Sequence, residues 1–442
     1  MNWTLFKDIL SIDSTSGKER EMALWLNDHL KTPSKQLMEV GDGTLNLFLK
    51  WGTPSVVFCT HMDTVPPYIA PVMPDPSSVM PDPSFVMPDP DRASQAVVSQ
   101  ESLGILRRCA PQDDNNHPGY NNPSDAFSCH SERPSCHSER PSCHSERPSC
   151  HSERSEESPV ITGRGSCDAK GQIFAMYTAC KELEAKGCTG FGLLILAGEE
   201  TGSWGAKAFS KTGFEAPFLI VGEPTDNKMV SAAKGTLSYD LKFTGEAFHS
   251  GYPHCGTSAV ELFCEFHNAL KAVNWGIDPE LGETTWNIGL LSSPNPQNIL
   301  SPELTCRLYF RTTFLSHQAV QEWMAEIAGQ AGNDGTVMPA APAAPARTAP
   351  AVMPGMTGHL TVTPRGGDVP ARYVTLPGFE SAPVAFGSDA PHLTGFGHKI
   401  ICGPGSIKVA HRDNENVLVA DLEKAVEQYV KMCRFLQNID NK

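Results

Sequence analysis

The sequence lacks any run of about 18 consecutive apolar residues, the length that could carry a helix across a bilayer. It is also poor in basic residues, since 35 lysines and arginines stand against 50 aspartates and glutamates, which gives a formal net charge of −15. This acidic excess disfavours nucleic acid and anionic membranes as partners. The first twenty residues carry acids where a signal peptide would have a basic segment and an apolar core, which predicts a cytoplasmic protein. The 14 cysteines are spread through a long chain, so we expect reduced thiols.

Three segments differ in composition from the rest of the chain. Residues 72–91 repeat the unit VMPDP, residues 128–150 repeat SCHSERP, and residues 336–356 are rich in proline and alanine. Prolines such as Pro134 and Pro141 would interrupt a helix, and none of the segments has the apolar spacing of a core element. We therefore expect residues 72–158 to be one solvated insertion, whose length costs little extra closure entropy, and residues 336–356 to be another.

The Cys-His repeat has the composition of a zinc site without its spacing. Its cysteines are seven residues apart and each is followed by a histidine. Structural zinc sites usually place paired cysteines about two to four residues apart. Adventitious binding of soft metals to this repeat is expected in vitro, but the pattern favours a functional metal site elsewhere in the chain.

Outside these insertions, short apolar runs alternate with amphipathic helices. The runs SVVFCTHMD, FGLLILAGEE and APFLIVGEPT have the continuous apolar character of buried parallel strands, and GQIFAMYTACKELEAKG has helical spacing. This alternation predicts an α/β catalytic domain with a mostly parallel sheet and helices on both faces, formed by residues 1–231 and 366–442. Residues 232–365 follow the order strand, helix, strand, strand, helix, strand, which predicts an inserted α+β domain of βαββαβ order.

Histidine and acidic side chains follow the predicted strands. Imidazoles and carboxylates gathered at neighbouring strand ends are the donors that a two-metal hydrolytic centre needs. Each residue alone has a simpler explanation, such as a solvated helix start for paired glutamates or a locally paired histidine. Their joint occurrence after buried strands favours a metal-dependent hydrolase. These residues are His61, Asp63, Asp168, Glu199, Glu200, Glu223 and His411.

The motifs HMDTVP, GRGSCDAKGQ, GEETGS, GEPT, HSGYPHCGTSAVE and PGSIKVAHRDNENV resemble, in this order, those of the acetylornithine deacetylase and succinyl-diaminopimelate desuccinylase family. That family comprises co-catalytic zinc hydrolases and includes glutamate carboxypeptidases and aminoacylases. The resemblance implies two Zn²⁺ ions, for which Co²⁺ can substitute. The ligands that it implies are His61 and Glu223 for one ion, Glu200 and His411 for the other, and Asp168 as the bridge.

The resemblance also implies roles for residues beside the metal ligands. Asp63 would orient the His61 ring, and Glu199 would be the general base, which moves a proton from the attacking water to the leaving amine. A homodimer would form through the inserted domain, and His249 would reach into the partner's site to stabilise the oxyanion. The residues expected to contact the substrate are Lys234, Asn298, Arg311 and Ser388, with Asp389 also lining the pocket.

The favoured prediction is hydrolysis of an N-acyl amino acid, with N-acetylornithine as the substrate and arginine biosynthesis as the setting. Succinyl-diaminopimelate desuccinylation, or a dipeptidase or carboxypeptidase activity of the same family, is the first alternative. A non-catalytic metal-binding or interaction protein that works through its repeats is the alternative from a different class. The complete set of ligand types argues against it.

Overall fold

A computed structural model describes residues 1–41, 43–74, 158–331 and 359–440. Most of the predicted insertion 72–158, including the Cys-His repeat, and all of segment 336–356 lie outside these ranges. The helices are α1 Trp3–Ser11, α2 Glu19–His29, α3 Lys170–Ala185, α4 Trp204–Ser210, α5 Ala259–Ala272, α6 His317–Ala331 and α7 Val419–Asp440. The strands are β1 Ser34–Gly41, β2 Thr44–Trp51, β3 Val56–His61, β4 Val160–Thr162, β5 Phe191–Leu196, β6 Ala216–Val221, β7 Met229–Ala233, β8 Gly235–Thr244, β9 Ile277–Asp278, β10 Gly282–Glu283, β11 Thr285–Ser292, β12 Glu303–Thr312, β13 Leu360–Gly366, β14 Ala371–Arg372, β15 Ser381–Val384, β16 Phe396–Ile401 and β17 Asn416–Leu418.

The larger unit is built on a six-stranded sheet in the order β1-β2-β5-β3-β6-β16. The last four strands are parallel to one another, whereas β2 is antiparallel to both β1 and β5. Every residue of β3 and β5 is buried, which is why these strands have unbroken apolar sequences. The sequence therefore predicted the mostly parallel sheet correctly, while the antiparallel pair β1–β2 was not foreseen.

Helices cover both faces of this sheet, as the sequence predicted. Helices α1, α2, α3 and α7 contribute to one large apolar core, in which the rings of Phe6 and Phe174 stack at 4.6 Å. Helix α7 supplies buried residues at helical spacing, including Leu422, Val426 and Tyr429. The opposite face packs against α4 and against the turn Ala390–His392.

The smaller unit is a four-stranded antiparallel sheet in the order β11-β12-β8-β13. Helices α5 and α6 share one core with alternate residues of β8 and β12, in which Phe266 lies near Trp323. The chain order β8, α5, β11, β12, α6, β13 confirms the predicted βαββαβ arrangement. The domain boundaries at 231/232 and 365/366 stay a prediction.

None of the nine cysteines in the described part of the chain forms a disulfide, and six of them are buried, among them Cys59 and Cys167. No helix within these ranges is both long enough and apolar enough to cross a membrane.

The two segments that flank residues 75–157 lie side by side. Val72 and Thr162 exchange backbone hydrogen bonds of 3.0 and 3.1 Å, and a side chain on Gly163 would come within 2.9 Å of Pro71 Cα. A short connection could therefore join residue 74 to residue 158 without moving either end.

We expect a variant with residues 75–157 replaced by a short glycine-serine linker to bind the same number of metal ions as the full chain. All contacts among the described residues survive this deletion, including those of the site described below. Metal content and thermal stability of the two proteins would be compared. Loss of metal from the shortened but folded protein would contradict the prediction.

Candidate metal centre

The candidate centre lies at the carboxyl edge of the large sheet. Strand β3 ends at His61, β5 leads within four residues to Glu199 and Glu200, and β6 is followed by Glu223. Because β3, β5 and β6 are parallel, their carboxyl ends meet at one edge and bring these side chains together.

Asp168 lies at the middle of the cluster. Its Oδ1 is 3.1 Å from Nε2 of His61, and its Oδ2 is 3.3 Å from Nε2 of His411. Nε2 of His411 is also 2.9 Å from Oε1 of Glu200. His411 has a φ of 62°, an uncommon conformation for a residue with a side chain, and such conformations concentrate at functional sites.

Two groups of potential ligands share Asp168. The first is completed by His61 and Glu223 and the second by Glu200 and His411, and within each group one donor atom from every residue lies within 4.8 Å of the others. The structure thus places together the five residues that the resemblance implies as metal ligands. Their binding of metal stays a prediction.

Asp63 connects the two strand ends that carry the histidine and the glutamates. Its carboxylate accepts the backbone N–H groups of Glu199 and Glu200, each at 3.1 Å, and lies 3.4 Å from Nδ1 of His61. The fully buried Asp63 therefore holds the turn after β5 and stands behind the His61 ring, whose Nε2 points to Asp168. This geometry suits the predicted orienting role.

Burial and hydrogen bonding shift the acid–base behaviour of the cluster. Burial opposes the charge of His61, but hydrogen bonds to Asp168 and Asp63 raise its pKa well above the usual value. Hydrogen bonds to Asp168 and Glu200 raise the pKa of His411 to about 10. Burial alone would raise the pKa of Asp168, but its bonds to the two histidines hold that pKa well below the ordinary range.

The two glutamates that lack such partners behave in the opposite way. Burial, reinforced by nearby carboxylates, raises the pKa of Glu199 and of Glu223 well above the usual value. Carboxylates therefore outnumber the imidazoles that could neutralise them. Divalent cations fit this surplus of negative charge, and the mixed nitrogen and oxygen donors without a thiolate suit a first-row divalent metal, of which Zn²⁺ is one.

A cavity of about 430 Å³ opens onto the centre. Its walls come from both units, and they include Asp168, Glu199 and His411 on the acidic side. Arg311 and Ser388, two of the residues predicted to contact substrate, also line it. The lysine and arginine side chains that line the cavity are Lys207, Arg311 and Arg365.

The other residues predicted at the substrate or oxyanion lie outside this cavity. Lys234 donates to the carbonyl oxygen of Glu283, and Asn298 is exposed. His249 is exposed as well, and its Nδ1 accepts the N–H of Gly251 at 3.0 Å, so Nε2 carries the ring proton. Their predicted roles remain predictions.

Three buried residues near the centre were not singled out as functional by the sequence. Arg164 and Glu415 form an ion pair of 2.7 Å, and both are about 1% exposed. Asp389 was predicted only to line the pocket, yet it is 2% exposed, and burial raises its pKa to about 6. Glu415 stands within the quoted motif HRDNENV, four residues after His411, which is the signal that could have drawn attention to it.

Comparison with known proteins identifies the family. Residues 231–336 match the model of the peptidase dimerisation domain of the M20 family. A protein of Emericella nidulans named "probable carboxypeptidase" is 32% identical over 308 residues, which cover 63% of this chain and 68% of that protein. The chain belongs to the M20 peptidase family. A "probable carboxypeptidase" of Aspergillus terreus is 32% identical over 62% of this chain and 64% of its own length, so the chain spans less than two thirds of that M20 relative.

Solved structures show the M20 fold at low sequence identity. A tripeptidase from Staphylococcus aureus superposes with a TM-score of 0.60 at 16% identity and covers 98% of this chain and 97% of its own. An M20 family metallo-carboxypeptidase from Sulfolobus solfataricus gives a TM-score of 0.59 at 14% identity, with 98% of both chains covered. These likenesses confirm the two-unit α/β architecture.

Proposed function

We propose that the protein is a metal-dependent exopeptidase that hydrolyses the amide bond next to the free carboxylate of a short peptide. The observation that carries the proposal is the pair of ligand groups sharing Asp168, with Glu199 on the wall of the same cavity. The carboxypeptidase names of the M20 relatives support the choice of a peptide bond.

In this proposal His61 and Glu223 would hold one Zn²⁺ and Glu200 and His411 a second, and Asp168 would contribute to both sites. The metal ions would polarise the scissile carbonyl and lower the pKa of the attacking water. Glu199 takes the proton from that water and delivers it to the leaving amine, a role for which its raised pKa is suited. Asp63 keeps the His61 ring and the backbone of Glu199 in position.

The cavity cations support a substrate with a free carboxylate. The guanidinium of Arg311 lies 5.1 Å from the centre of the Tyr309 ring and has no carboxylate partner among the described residues. Arg365 is 3.5 Å from the half-buried Asp240, and Lys207 donates to the carbonyl oxygen of Gly202 at 2.7 Å. Arg311 is therefore the cation most available to pair with a substrate carboxylate.

Hydrolysis of an N-acyl amino acid is the second candidate, because it presents the same amide and carboxylate to the same groups. The quoted motifs, which resemble those of the deacetylases, favour it. N-Acetylornithine adds a cationic side chain. Outside the acids of the candidate centre, the cavity wall carries Lys207, Arg311 and Arg365 against one acid, Asp368, which is already 3.4 Å from His392. The charge balance thus favours neutral or acidic substrates over this one.

Release of free amine from dipeptides, tripeptides, N-acetylornithine and N-succinyl-diaminopimelate tests the proposal. Zinc- or cobalt-loaded protein would be compared with Glu199→Gln protein loaded in the same way. Cleavage of peptides that the variant does not show would support an exopeptidase. Turnover confined to an N-acyl amino acid would establish the second candidate, and no turnover on any substrate by protein carrying two metal ions would overturn the proposal.

We further propose that the protein is a homodimer in which His249 of each copy completes the site of the other. The match to a peptidase dimerisation domain supports the dimer, and the exposed edge strand β11, with Leu290 71% exposed, offers a surface for it. The proton on Nε2 makes His249 a suitable donor to an oxyanion.

Mixing two inactive variants tests the role of His249. If His249→Ala and Glu199→Gln dimers exchange subunits, each mixed dimer regains one complete site, so activity should return to about a quarter of the wild-type level. Steady-state activity before and after exchange gives the answer. Persistent inactivity of a mixture shown to contain mixed dimers would place His249 outside the partner's site.

A further inference from the structure

We infer that the buried Arg164–Glu415 ion pair is the positioning element of the metal centre, because it joins the loop that follows His61 to the loops that carry Asp168 and His411. The inference rests on the proposed metal-dependent function and adds two residues that belong to neither ligand group and do not line the cavity. The pair acts through the backbone of those loops.

Glu415 holds the loop that leads to Asp168. Its Oε1 accepts three backbone N–H groups, from Gly165 at 2.9 Å, Cys167 at 3.1 Å and Asp168 at 3.0 Å. A single carboxylate oxygen thus fixes the turn from residue 165 to 168. Because the backbone N–H of Asp168 is itself one of the three donors, displacement of Glu415 would move the residue shared by both ligand groups.

Arg164 connects that loop to the other two. Its Nη1 donates to Oε2 of Glu415 at 2.7 Å and to the carbonyl oxygen of Arg412 at 3.2 Å, next to His411. Its Nε donates to the carbonyl oxygen of Pro67 at 3.1 Å, in the segment that follows His61 and Asp63. One guanidinium therefore joins segments that are 97 and 248 residues away in sequence.

The position of the pair distinguishes it from an ordinary buried ion pair. Both side chains are shielded from water, so each charge is compensated by the other. A buried ion pair of this kind often adds little net stability compared with apolar residues in its place. What it supplies here is geometry, because all its remaining hydrogen bonds go to backbone groups of the three loops. Removing a residue that holds metal ligands in place without binding the metal typically weakens metal affinity about 10- to 100-fold.

The experiment is a metal titration of the full chain, free of substrate, with Glu415→Ala and Glu415→Gln. We expect Glu415→Ala to weaken metal binding about 10- to 100-fold and to alter the visible absorption spectrum of the cobalt-loaded protein. Glu415→Gln should lie between that variant and the wild type, since its amide oxygen can still accept the three N–H groups. If Glu415→Ala fails to fold, the comparison of Glu415→Gln with the wild type carries the test.

Leu436→Ala is the matched control for lost stability. Leu436 is fully buried in α7. The next residue, Gln437, donates to the carbonyl oxygen of Thr189, two residues before β5 begins and thus at the sheet edge opposite the centre. The Leu436→Ala substitution should lower thermal stability and leave metal affinity unchanged. Glu415 variants that are folded and bind metal as tightly as this control would overturn the inference.

A parallel peptide assay separates this inference from the proposed function. Wild-type protein that binds two metal ions but cleaves no substrate would overturn the proposed function, and the Glu415 titration would still decide the positioning role. In an active protein, the Glu415 variants should lower kcat more than they raise KM, because the residues that face substrate are unchanged.

Discussion

Replacement of Glu199 by glutamine is expected to lower kcat by about 100- to 10,000-fold while the protein keeps both metal ions. Glutamine preserves the size of the side chain and the backbone N–H that Glu199 donates to Asp63 at 3.1 Å, but it cannot accept a proton from water. Glu199 belongs to neither of the two ligand groups, so metal content should not fall. Amine release and metal content measured on the same preparation would check both parts.

Glu200→Gln is the matched control, since it makes the same chemical change at the adjacent residue. Glu200 contacts His411 at 2.9 Å and belongs to the second ligand group. This variant should therefore bind one metal ion less, unlike Glu199→Gln. Wild-type kcat in the Glu199 variant would exclude that residue as the general base, and loss of metal from it would reassign it as a ligand.

Much of the centre was predictable because strands of a parallel sheet deliver their following residues to one edge. The buried runs that end before His61, Glu199 and Glu223 are visible in the sequence, and their parallel order is a consequence of the alternating helices. The amphipathic pattern of the smaller unit was equally clear, since β12 and most of β8 alternate between buried and less buried positions. Local periodicity in the sequence was therefore sufficient to predict most of the fold.

What could not be predicted depends on contacts between distant parts of the chain. Arg164 and Glu415 are 251 residues apart, and a charged residue in a sequence gives no sign that it will be buried. Strand β1 is largely exposed and lacks a strong alternating pattern, so its place at the sheet edge follows from pairing with β2. Whether Lys234 and Asn298 face a substrate depends on how the smaller unit and a second copy are arranged, which no local pattern encodes.

Replacement of Asp168 by asparagine is expected to remove both metal ions rather than one. Asp168 is the only residue that belongs to both ligand groups found among the described residues, and its two oxygens separately face His61 and His411. Asparagine has a similar shape but a single oxygen acceptor, so it cannot join two cations. Activity should fall by about a thousandfold or more, because the charge stabilisation that metal ions give is worth several kcal/mol.

Asp278→Asn is the control that shows whether the loss of metal ions is specific to a substitution in the candidate centre. Asp278 is also a buried carboxylate, 4% exposed, but it lies in the smaller unit and accepts the backbone N–H groups of Glu280, Leu281 and Leu315. Its replacement should cost stability and leave two metal ions bound. If Asp168→Asn retained one tightly bound ion, Asp168 would be a ligand of a single site, and the two ligand groups would bind independently of each other.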